Sequence, residues 1–242
     1  MEALKLYQFA LCPYCGKVRS ALRLKGLGYD TVEVNPMNKR ELPELGEGVP
    51  RKVPVLQIGE RFVWDSTEIL LELEKRFPQP YPMLSEDAQA RARAEELEAW
   101  VDEELTFALP TVIYGSISEA RKAAQVTART SNFGLWQNFA VRVGGSVIMH
   151  QVAKRMLKKR GKSDGHRWMA ELTDTLEGKL GFGRFFGGDA PDLGDVAVHG
   201  ALSVVRDFPV FQDLMARPAL QVWYEAADAL MGHSLAGASR AA

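Results

Sequence analysis

Hydrophobic and polar positions follow two different periods in the first third of the chain. A period of two, bounded by glycine and polar turns, is typical of strands, whereas apolar positions three and four apart indicate helices. The predicted strands lie at 4–9, 29–34, 53–59 and 61–64. A helix begins at Pro13 and is ended by Gly26 and Gly28, and a second helix covers 65–77. The order strand, helix, strand, optional helix, strand, strand, helix predicts a small mixed sheet covered by helices.

The rest of the chain has the helical period almost throughout. The stretch "PQPYP" at 78–82 interrupts all periodicity and predicts a linker. The helices predicted after it lie at 86–105, 116–129, 133–160, 164–179, 193–206 and 218–231. We therefore expect an α/β domain at 1–79, a linker at 80–86 and an all-α domain at 87–242.

Composition and charge narrow the class of protein. The chain has 242 residues, of which 46% are hydrophobic and 25% charged, with a formal net charge of -1. This balance is ordinary for a globular protein and gives no reason to expect nucleic-acid binding. We find no secretory signal and no run of about 18 apolar residues that would span a membrane. With only two cysteines, close together, a cytoplasmic, reducing location is expected.

Both cysteines fall in "CPYC", between the first strand and the first helix. The pattern places Cys12 at the N-cap, Pro13 at the first helical position, Tyr14 next and Cys15 one turn inside. Proline suits that position because its missing N–H has no intrahelical partner there. The unpaired N–H groups and the positive helix end favour the Cys12 thiolate. Cys12 is thus the candidate nucleophile and Cys15 the candidate resolving thiol.

The first predicted helix also carries cations away from its apolar face. Cys15, Val18 and Leu22 share one helical face, and the cations lie on other faces at Lys17, Arg19 and Arg23.

Two other interpretations of the cysteine pair are a metal site and a pair of small buried residues. A zinc site needs a second Cys or His pair. The four histidines are scattered without ligand spacing, at His150, His166, His199 and His233. We therefore expect no metal, and the proline between the cysteines favours chemistry over simple packing.

A carboxylate-binding corner is predicted from two further segments. Pro54 opens a strand, which leaves two alternatives: an ordinary edge proline, or a cis proline that turns the Val53 backbone outward to pair with an extended peptide. Asp65 is the predicted N-cap of the helix at 65–77, with Glu68 completing an acidic capping box. Ser66 in its first turn suits a ligand carboxylate, and Asp65 suits an ammonium group.

Together these segments resemble the glutathione transferase superfamily. The resemblance rests on "CPYC", on "VPVL" at 53–56, on "DSTEIL" at 65–70, and on "FFGGDAPDLGDVAVHGAL" at 185–202 with Asp192 as N-cap and Asp195 three residues on. Within the superfamily, the chain is most similar to the membrane-associated prostaglandin E synthase type 2 group and its bacterial relatives. "LYQFALCPYCGKVRSAL", "VEVNP", "RKVPVL" and "AKRMLKKR" also occur in that group's order.

The resemblance implies a thioredoxin-like amino-terminal domain that binds glutathione, followed by an all-helical domain. It implies that Cys12 is the active thiol, that Val53 and Pro54 hold the cysteinyl backbone of glutathione, and that Asp65 and Ser66 hold its γ-glutamyl head. The further residues expected to contact glutathione are Pro13, Tyr14 and Lys52.

A second, apolar substrate pocket is also implied by the resemblance. The residues expected there are Phe9, Phe107, Pro110 and Tyr114. The mammalian synthases have a tyrosine where this chain has Phe9, so a phenol that would steady the thiolate is absent. That difference counts against prostaglandin isomerisation.

The sequence thus predicts a glutathione-dependent thiol enzyme, acting through Cys12 on a disulfide or a small apolar electrophile. The alternatives are a non-catalytic binding module of the same fold and a prostaglandin-synthase-like isomerase. By analogy with the superfamily, we expect a homodimer.

Overall fold

Four short strands form one mixed sheet in the first third of the molecule. The computed structural model describes residues 2–130 and 145–232. The strands are β1 Leu4–Gln8, β2 Asp30–Glu33, β3 Val55–Ile58 and β4 Arg61–Trp64. Their order across the sheet is β2-β1-β3-β4, with β1 parallel to β2 and antiparallel to β3. The predicted strands and the tight turn of the β3–β4 hairpin are confirmed.

Two helices cover this sheet, α1 Pro13–Leu24 and α2 Ser66–Arg76. The optional helix between β2 and β3 does not form, because residues 36–54 run as turns and loop. Pro36, Pro43 and Pro50 punctuate that segment, and proline lacks the N–H that a helix interior requires. The sheet with its two helices is a thioredoxin-like domain.

The remainder of the described chain is helical. Its helices are α3 Ala88–Trp100, α4 Thr106–Ile113, α5 Ile117–Thr130, α6 Ser146–Lys159, α7 Gly165–Leu180, α8 Leu193–Ser203, α9 Pro209–Met215 and α10 Pro218–Met231. The sequence did not predict α4 or α9. Part of the predicted helix at 133–160 lies outside the described residues, and α6 accounts for the rest. The predicted helical second part is confirmed, whereas the exact domain boundaries stay a prediction.

One π-helical turn, Val101–Leu105, joins α3 to α4 without a break in the chain's helical course. A π-turn inserts an extra residue into the helical repeat and often occurs where a side chain must be re-aimed. The sequence predicted one helix over 86–105, and the irregularity within it was not foreseen.

The helix that carries the cysteines crosses the buried helix α8 at very short range. A Cβ on Gly16 would lie 2.0 Å from the carbonyl oxygen of Gly200, and a Cβ on Gly200 would lie 2.4 Å from the backbone nitrogen of Lys17. Only glycine fits on either side of such a crossing. Close by, the Ser20 hydroxyl lies 2.9 Å from His199 Nδ1. The helical part of the molecule therefore fixes the position of α1.

Within the described residues, no helix combines the length and apolar character required to cross a membrane.

Candidate active site

The active-site candidate is the first turn of α1. Cys12 is the N-cap in an extended conformation, with φ −86° and ψ 117°, and Pro13 begins the helix. The Cys12 N–H donates to the Phe9 carbonyl at 3.0 Å, and the Gly16 N–H donates to the Cys12 carbonyl at 3.0 Å. The positions predicted for Cys12, Pro13 and Cys15 on the helix are therefore confirmed. The backbone hydrogen bonds on both sides of Cys12 fix the direction in which its side chain leaves the chain.

The two thiols are free but lie in different environments. Cys12 is partly exposed, whereas Cys15 has no exposed surface. The pKa of the Cys12 thiol is lowered, chiefly because the Cys15 thiol donates a hydrogen bond to it; burial opposes this effect, and the Cys15 N–H and the Arg19 charge add to it. Burial raises the pKa of Cys15 well above its ordinary value, and the charge on Cys12 raises it further. Cys12 therefore ionises more readily than Cys15.

A buried arginine lies behind the pair. Arg19 follows Cys15 by one helical turn and is 2% exposed. Its guanidinium donates to Gln8 Oε1 at 2.8 Å and to the Ala10 carbonyl at 3.2 Å, and Gln8 in turn donates to the Glu33 carboxylate. The pKa of Arg19 is lowered by burial, and both thiols favour its charged form. The helical period placed Arg19 away from the apolar face. Its spacing of four residues from Cys15 was the missed signal that the two side chains are neighbours.

Six of the seven predicted glutathione contacts lie in the lining of one groove of about 380 Å³, whereas Pro13 is not part of that lining. The groove lining consists of Tyr14, Pro50, Lys52, Val53, Pro54, Trp64, Asp65, Ser66 and Asp102. The structure thus brings together the first turn of α1, the segment before β3 and the start of α2, as expected. Pro50, Trp64 and Asp102 were not predicted.

Backbone geometry at this groove settles one open alternative. The Val53–Pro54 peptide bond is cis. Asp65 has φ 71°, an uncommon conformation for a residue other than glycine. Its carboxylate accepts from the Thr67 N–H at 2.9 Å and from the Glu68 N–H at 3.4 Å. Asp65 is therefore the N-cap of α2, as predicted, and Ser66 is the buried first residue of that helix.

A second pocket, also of about 380 Å³, is almost wholly apolar. Its lining consists of Phe9, Pro36, Met37, Tyr114, Ala120, Ala124, Thr127, Gly145, Ile148 and Met149. Two of the four residues expected in a substrate pocket, Phe9 and Tyr114, are among them.

The other two expected pocket residues are not part of the described lining. The Phe107 ring packs against the Arg160 guanidinium, with 4.2 Å between the ring centroid and Arg160 Cζ. Pro110 lies inside α4. The expectation for Phe107 and Pro110 is therefore corrected. Phe107 follows the π-turn and is exposed, and no pattern in the sequence predicted that turn.

The Cys12 charge acts on one residue of the groove and on one residue of the apolar pocket. Burial raises the pKa of Tyr14, and the nearby charges of Asp102, Cys12 and Asp65 raise it further, while a hydrogen bond with Thr106 lowers it. Burial and the Cys12 charge raise the pKa of Tyr114 to about 12. Since Tyr14 lines the groove and Tyr114 the apolar pocket, both spaces are within electrostatic range of the same sulfur.

An ion cluster beside the groove was also missed. Lys17, which has no exposed surface, pairs with Glu98 and with Asp102, whose Oδ1 lies 2.7 Å from Lys17 Nζ. The Thr67 hydroxyl donates to the same Glu98 carboxylate at 2.7 Å. The cluster joins α1, α2 and α3, elements far apart in sequence, so no local pattern could have revealed it.

The histidines have individual roles in the described part of the molecule. His150 Nδ1 lies 2.9 Å from the Tyr114 carbonyl, His166 Nε2 lies 3.1 Å from Glu119, and His199 is buried between Ser20 and Asp228. His233 lies outside the described residues. Across 2–130 and 145–232, no group of three or more His, Cys, Asp or Glu side chains is arranged to hold a metal.

Comparison with known proteins agrees with this geometry. Residues 6–81 match the family described as glutathione S-transferase, N-terminal domain. Prostaglandin E synthase 2 of Danio rerio is 26% identical over 91% of this chain and 69% of its own length. The Mus musculus protein of that name is 28% identical over 91% of this chain and 68% of its own.

A solved structure extends the likeness to the fold. The crystal structure of rice GST1 in complex with glutathione superposes with a TM-score of 0.63. The match covers 98% of this chain and 91% of the rice chain, at 24% sequence identity. The match of residues 6–81 and the two relatives thus confirm the resemblance stated from the sequence, and the rice structure confirms the fold.

Proposed function

Because residues 6–81 form a glutathione S-transferase N-terminal domain within a chain of the glutathione transferase fold, we propose that this protein is a glutathione-dependent thiol transferase that works through Cys12. One observation carries the proposal. A partly exposed thiol with a lowered pKa stands at the N-cap of α1, and its charge acts on Tyr14 of the polar groove and on Tyr114 of the apolar pocket. Such a thiol is ionised at a pH where an ordinary cysteine is not.

Glutathione occupies the polar groove in this proposal. Its cysteinyl backbone lies along Val53, and its γ-glutamyl head lies against the start of α2. The Ser66 N–H at the positive end of that helix suits the α-carboxylate of the head. Asp65, whose Oδ1 already caps the helix, supplies negative charge for the ammonium group. The rice GST1 structure, solved with glutathione, supports this by its similar fold.

The first chemical step is attack of the Cys12 thiolate on a disulfide between glutathione and a second thiol. A bond forms between Cys12 Sγ and the glutathione sulfur, the original disulfide bond breaks, and the second thiol leaves as a thiolate that takes a proton from water. The attacking sulfur is the one with the lowered pKa, and attack by a thiolate is the general route of disulfide exchange.

Two routes then release glutathione. In the first, the thiolate of a second glutathione attacks the mixed disulfide, which gives oxidised glutathione and restores the Cys12 thiolate. In the second, Cys15 loses its proton and attacks Cys12 Sγ, which gives a Cys12–Cys15 disulfide and glutathione. The raised pKa of Cys15 favours the first route, because a protonated thiol is a poor nucleophile.

In this scheme the apolar pocket binds the second substrate. Its lining is almost entirely hydrophobic, with Phe9 and Tyr114 on the Cys12 side. Apolar pockets of this kind bind apolar portions of ligands by burying their surface. We therefore expect mixed disulfides with an apolar thiol to react faster than those with a polar one.

Reduction of hydroxyethyl disulfide by glutathione tests the proposal. Cys12→Ser should lower the rate by at least about 1,000-fold, the scale on which removal of a nucleophile acts. Cys15→Ser, the matched control at the other end of the motif, should keep most of the activity through the first route. Retention of activity by Cys12→Ser would contradict the proposal.

Conjugation of glutathione to an apolar electrophile is a second candidate, which the apolar pocket favours. There the glutathione thiolate is the nucleophile, and the Cys12 side chain competes with it by forming a mixed disulfide. A chloronitrobenzene assay separates the two activities, since Cys12→Ser should spare conjugation while it abolishes disulfide reduction.

Prostaglandin E synthesis, the activity in the names of two relatives, is less favoured because Phe9 carries no phenol. Absence of calorimetric glutathione binding would leave a non-catalytic module.

A further inference from the structure

The cysteine-bearing helix carries a buried cation on the same face as its two thiols. Cys12, Cys15 and Arg19 follow one another at spacings of three and four residues. Side chains at those spacings are neighbours on the surface of an α-helix. Cys15 has no exposed surface and Arg19 is 2% exposed, so the guanidinium is enclosed together with the thiol pair. A fixed positive charge therefore lies on the buried side of the candidate active site.

Neutral groups anchor this guanidinium. It donates to Gln8 Oε1 at 2.8 Å and to the Ala10 carbonyl at 3.2 Å. Within the described residues, no Asp or Glu forms an ion pair with Arg19. Charged side chains are almost never fully buried unless they are paired. A buried arginine held only by neutral oxygens therefore requires a counter-charge from another kind of group.

Gln8 separates Arg19 from the Glu33 carboxylate of β2. The Gln8 side chain is buried, its amide oxygen accepts from Arg19, and its amide nitrogen donates to Glu33. Burial raises the pKa of Glu33, while the Gln8 hydrogen bond and the Arg19 charge lower it. A carboxylate in direct contact would neutralise the guanidinium, whereas a neutral amide only orients it. The Arg19 charge is thus left to act on the thiols.

Other titratable groups around Arg19 support this assignment of its counter-charge. Cys15, Tyr29 and Cys12 favour the charged form of Arg19, whereas Arg23, one turn further along α1, opposes it. A phenol ordinarily ionises only near about pH 10. The thiols are therefore the acidic groups on that side of the guanidinium that ionise closest to neutral pH.

The ligand side of Cys12 supplies no competing charge from its phenols. Tyr14 lines the polar groove and Tyr114 lines the apolar pocket. Burial raises the pKa of both phenols, so both are neutral where the thiol titrates. The charge that favours the Cys12 thiolate comes from Arg19, on the buried side of the helix.

We infer that Arg19 is a positioning residue that holds a fixed positive charge behind the thiol pair and keeps the pair reduced, with Gln8 as the neutral spacer that prevents neutralisation by Glu33. The inference rests on the proposed function, which needs a free Cys12 thiol. In exchange with oxidised glutathione, the two protein thiols lose two electrons and two protons, which convert oxidised glutathione into two glutathione thiols. The charge stabilises the thiolate-bearing, reduced side, so the Cys12–Cys15 disulfide is easier to reduce.

Three variants of α1 separate the effect of the charge from that of packing. Arg19→Gln removes the charge and Arg19→Lys keeps it. Arg23→Gln is the matched control, because it removes the same charge one turn further on. The rate of Cys12 alkylation by iodoacetamide is measured against pH by peptide mapping. The equilibrium of each protein with oxidised glutathione is measured by intact mass after acid quenching.

We expect Arg19→Gln to move the alkylation profile to higher pH and to slow alkylation about 5-fold on its acid side, where the rate follows the thiolate fraction. The equilibrium with oxidised glutathione should shift about 10-fold toward the protein disulfide. Arg19→Lys should restore most of both, and Arg23→Gln should stay within about 2-fold of wild type. Gln8→Glu, which keeps Arg19 and gives it a direct anionic partner, should act in the same direction as Arg19→Gln.

The inference is overturned if Arg19→Gln keeps the wild-type profile and equilibrium, or if Arg23→Gln or Arg19→Lys changes them as much as Arg19→Gln does. Should Arg19→Gln fail to fold, an unchanged Gln8→Glu overturns it equally. In each case, reduction of hydroxyethyl disulfide by the wild type leaves the proposed function standing. If the variants behave as expected but the wild type does not turn over glutathione, the charge effect stands and the proposed function fails.

Discussion

The N-termini of two helices, α8 and α1, are capped differently. The start of α8 is closed by a capping box, in which the Asp195 N–H donates to Asp192 Oδ1 at 3.1 Å and the Asp192 N–H donates to Asp195 Oδ2 at 3.0 Å. The start of α1 has a cysteine at the equivalent N-cap position and no capping hydrogen bond from its side chain. The same positive helix end is satisfied in one case and left to act on a sulfur in the other.

The closed start also ties several parts of the helical domain together. Asp195 accepts from the Trp223 indole N–H at 2.6 Å and from the backbone N–H groups of Phe186 and Gly187, each at 3.0 Å. Asp195 has no exposed surface, and Trp223 is buried as well, so the indole N–H would be left without a partner if the carboxylate were removed. Its role is to stabilise the fold.

The open start trades such stabilisation for reactivity. The N–H groups of Cys15 and Tyr14 lower the pKa of Cys12, although neither forms a capping hydrogen bond of good geometry with the sulfur. A dipole that is not quenched by a cap remains available to a thiolate. A helix N-terminus can thus activate a side chain where the N-cap residue is a poor hydrogen-bond acceptor.

Removal of the Asp195 carboxylate should have the largest effect on stability, and removal of the Cys12 thiol should have little. Asp195→Ala leaves the buried Trp223 indole N–H without its partner and removes the hydrogen bonds from the Phe186 and Gly187 N–H groups, so the free energy of unfolding should fall by about 4 kcal/mol. Cys12→Ala removes a partly exposed sulfur with no cap bond and should change it by less than about 1 kcal/mol. Urea titration of both variants measures the difference. Equal losses would show that the two helix starts contribute alike.

A smaller, pH-dependent effect should separate the two residues of the capping box. Burial and the Asp195 charge raise the pKa of Asp192 to about 7. A carboxyl with a raised folded pKa stabilises the fold fully below its unfolded pKa of about 3.9, and this contribution is lost as pH rises through the folded value. Asp192→Asn keeps the cap and removes the titration. The free energy of unfolding of the variant should therefore rise by about 3 kcal/mol relative to that of the wild type as pH goes from about 5 to about 8.

The check is the unfolding free energy of both proteins across that range. A difference that stays flat, or that falls with pH, would contradict the assignment of the raised pKa to Asp192.

Local sequence patterns were sufficient to predict the starts of α1, α2 and α8. Pro13 after Cys12, Asp65 before an apolar helix, and Asp192 three residues before Asp195 each identify an N-terminus from neighbours within one turn. All three are found where they were predicted. The sheet and the helical second part followed in the same way from hydrophobic period and turn residues.

What could not be predicted depends on residues distant in sequence. Lys17 and Arg19 are cations that a local pattern places away from the apolar face, yet both are buried because α3 and β1 supply their partners. Asp102 reaches the groove through a π-turn that has no established sequence signature. The sequence did not predict α4 and α9, which contain or begin with proline, at Pro110 and Pro209. The homodimer and the cytoplasmic location stay predictions.

The most direct test of the account is the intact mass of the protein after exposure to oxidised glutathione. Cys15→Ser should gain the mass of one glutathionyl group, located on Cys12 by peptide mapping, because the thiolate attacks and no second cysteine can displace the adduct. Cys12→Ser should gain nothing under the same conditions. An adduct on Cys12→Ser, or none on Cys15→Ser, would show that the open helix start does not make Cys12 the nucleophile.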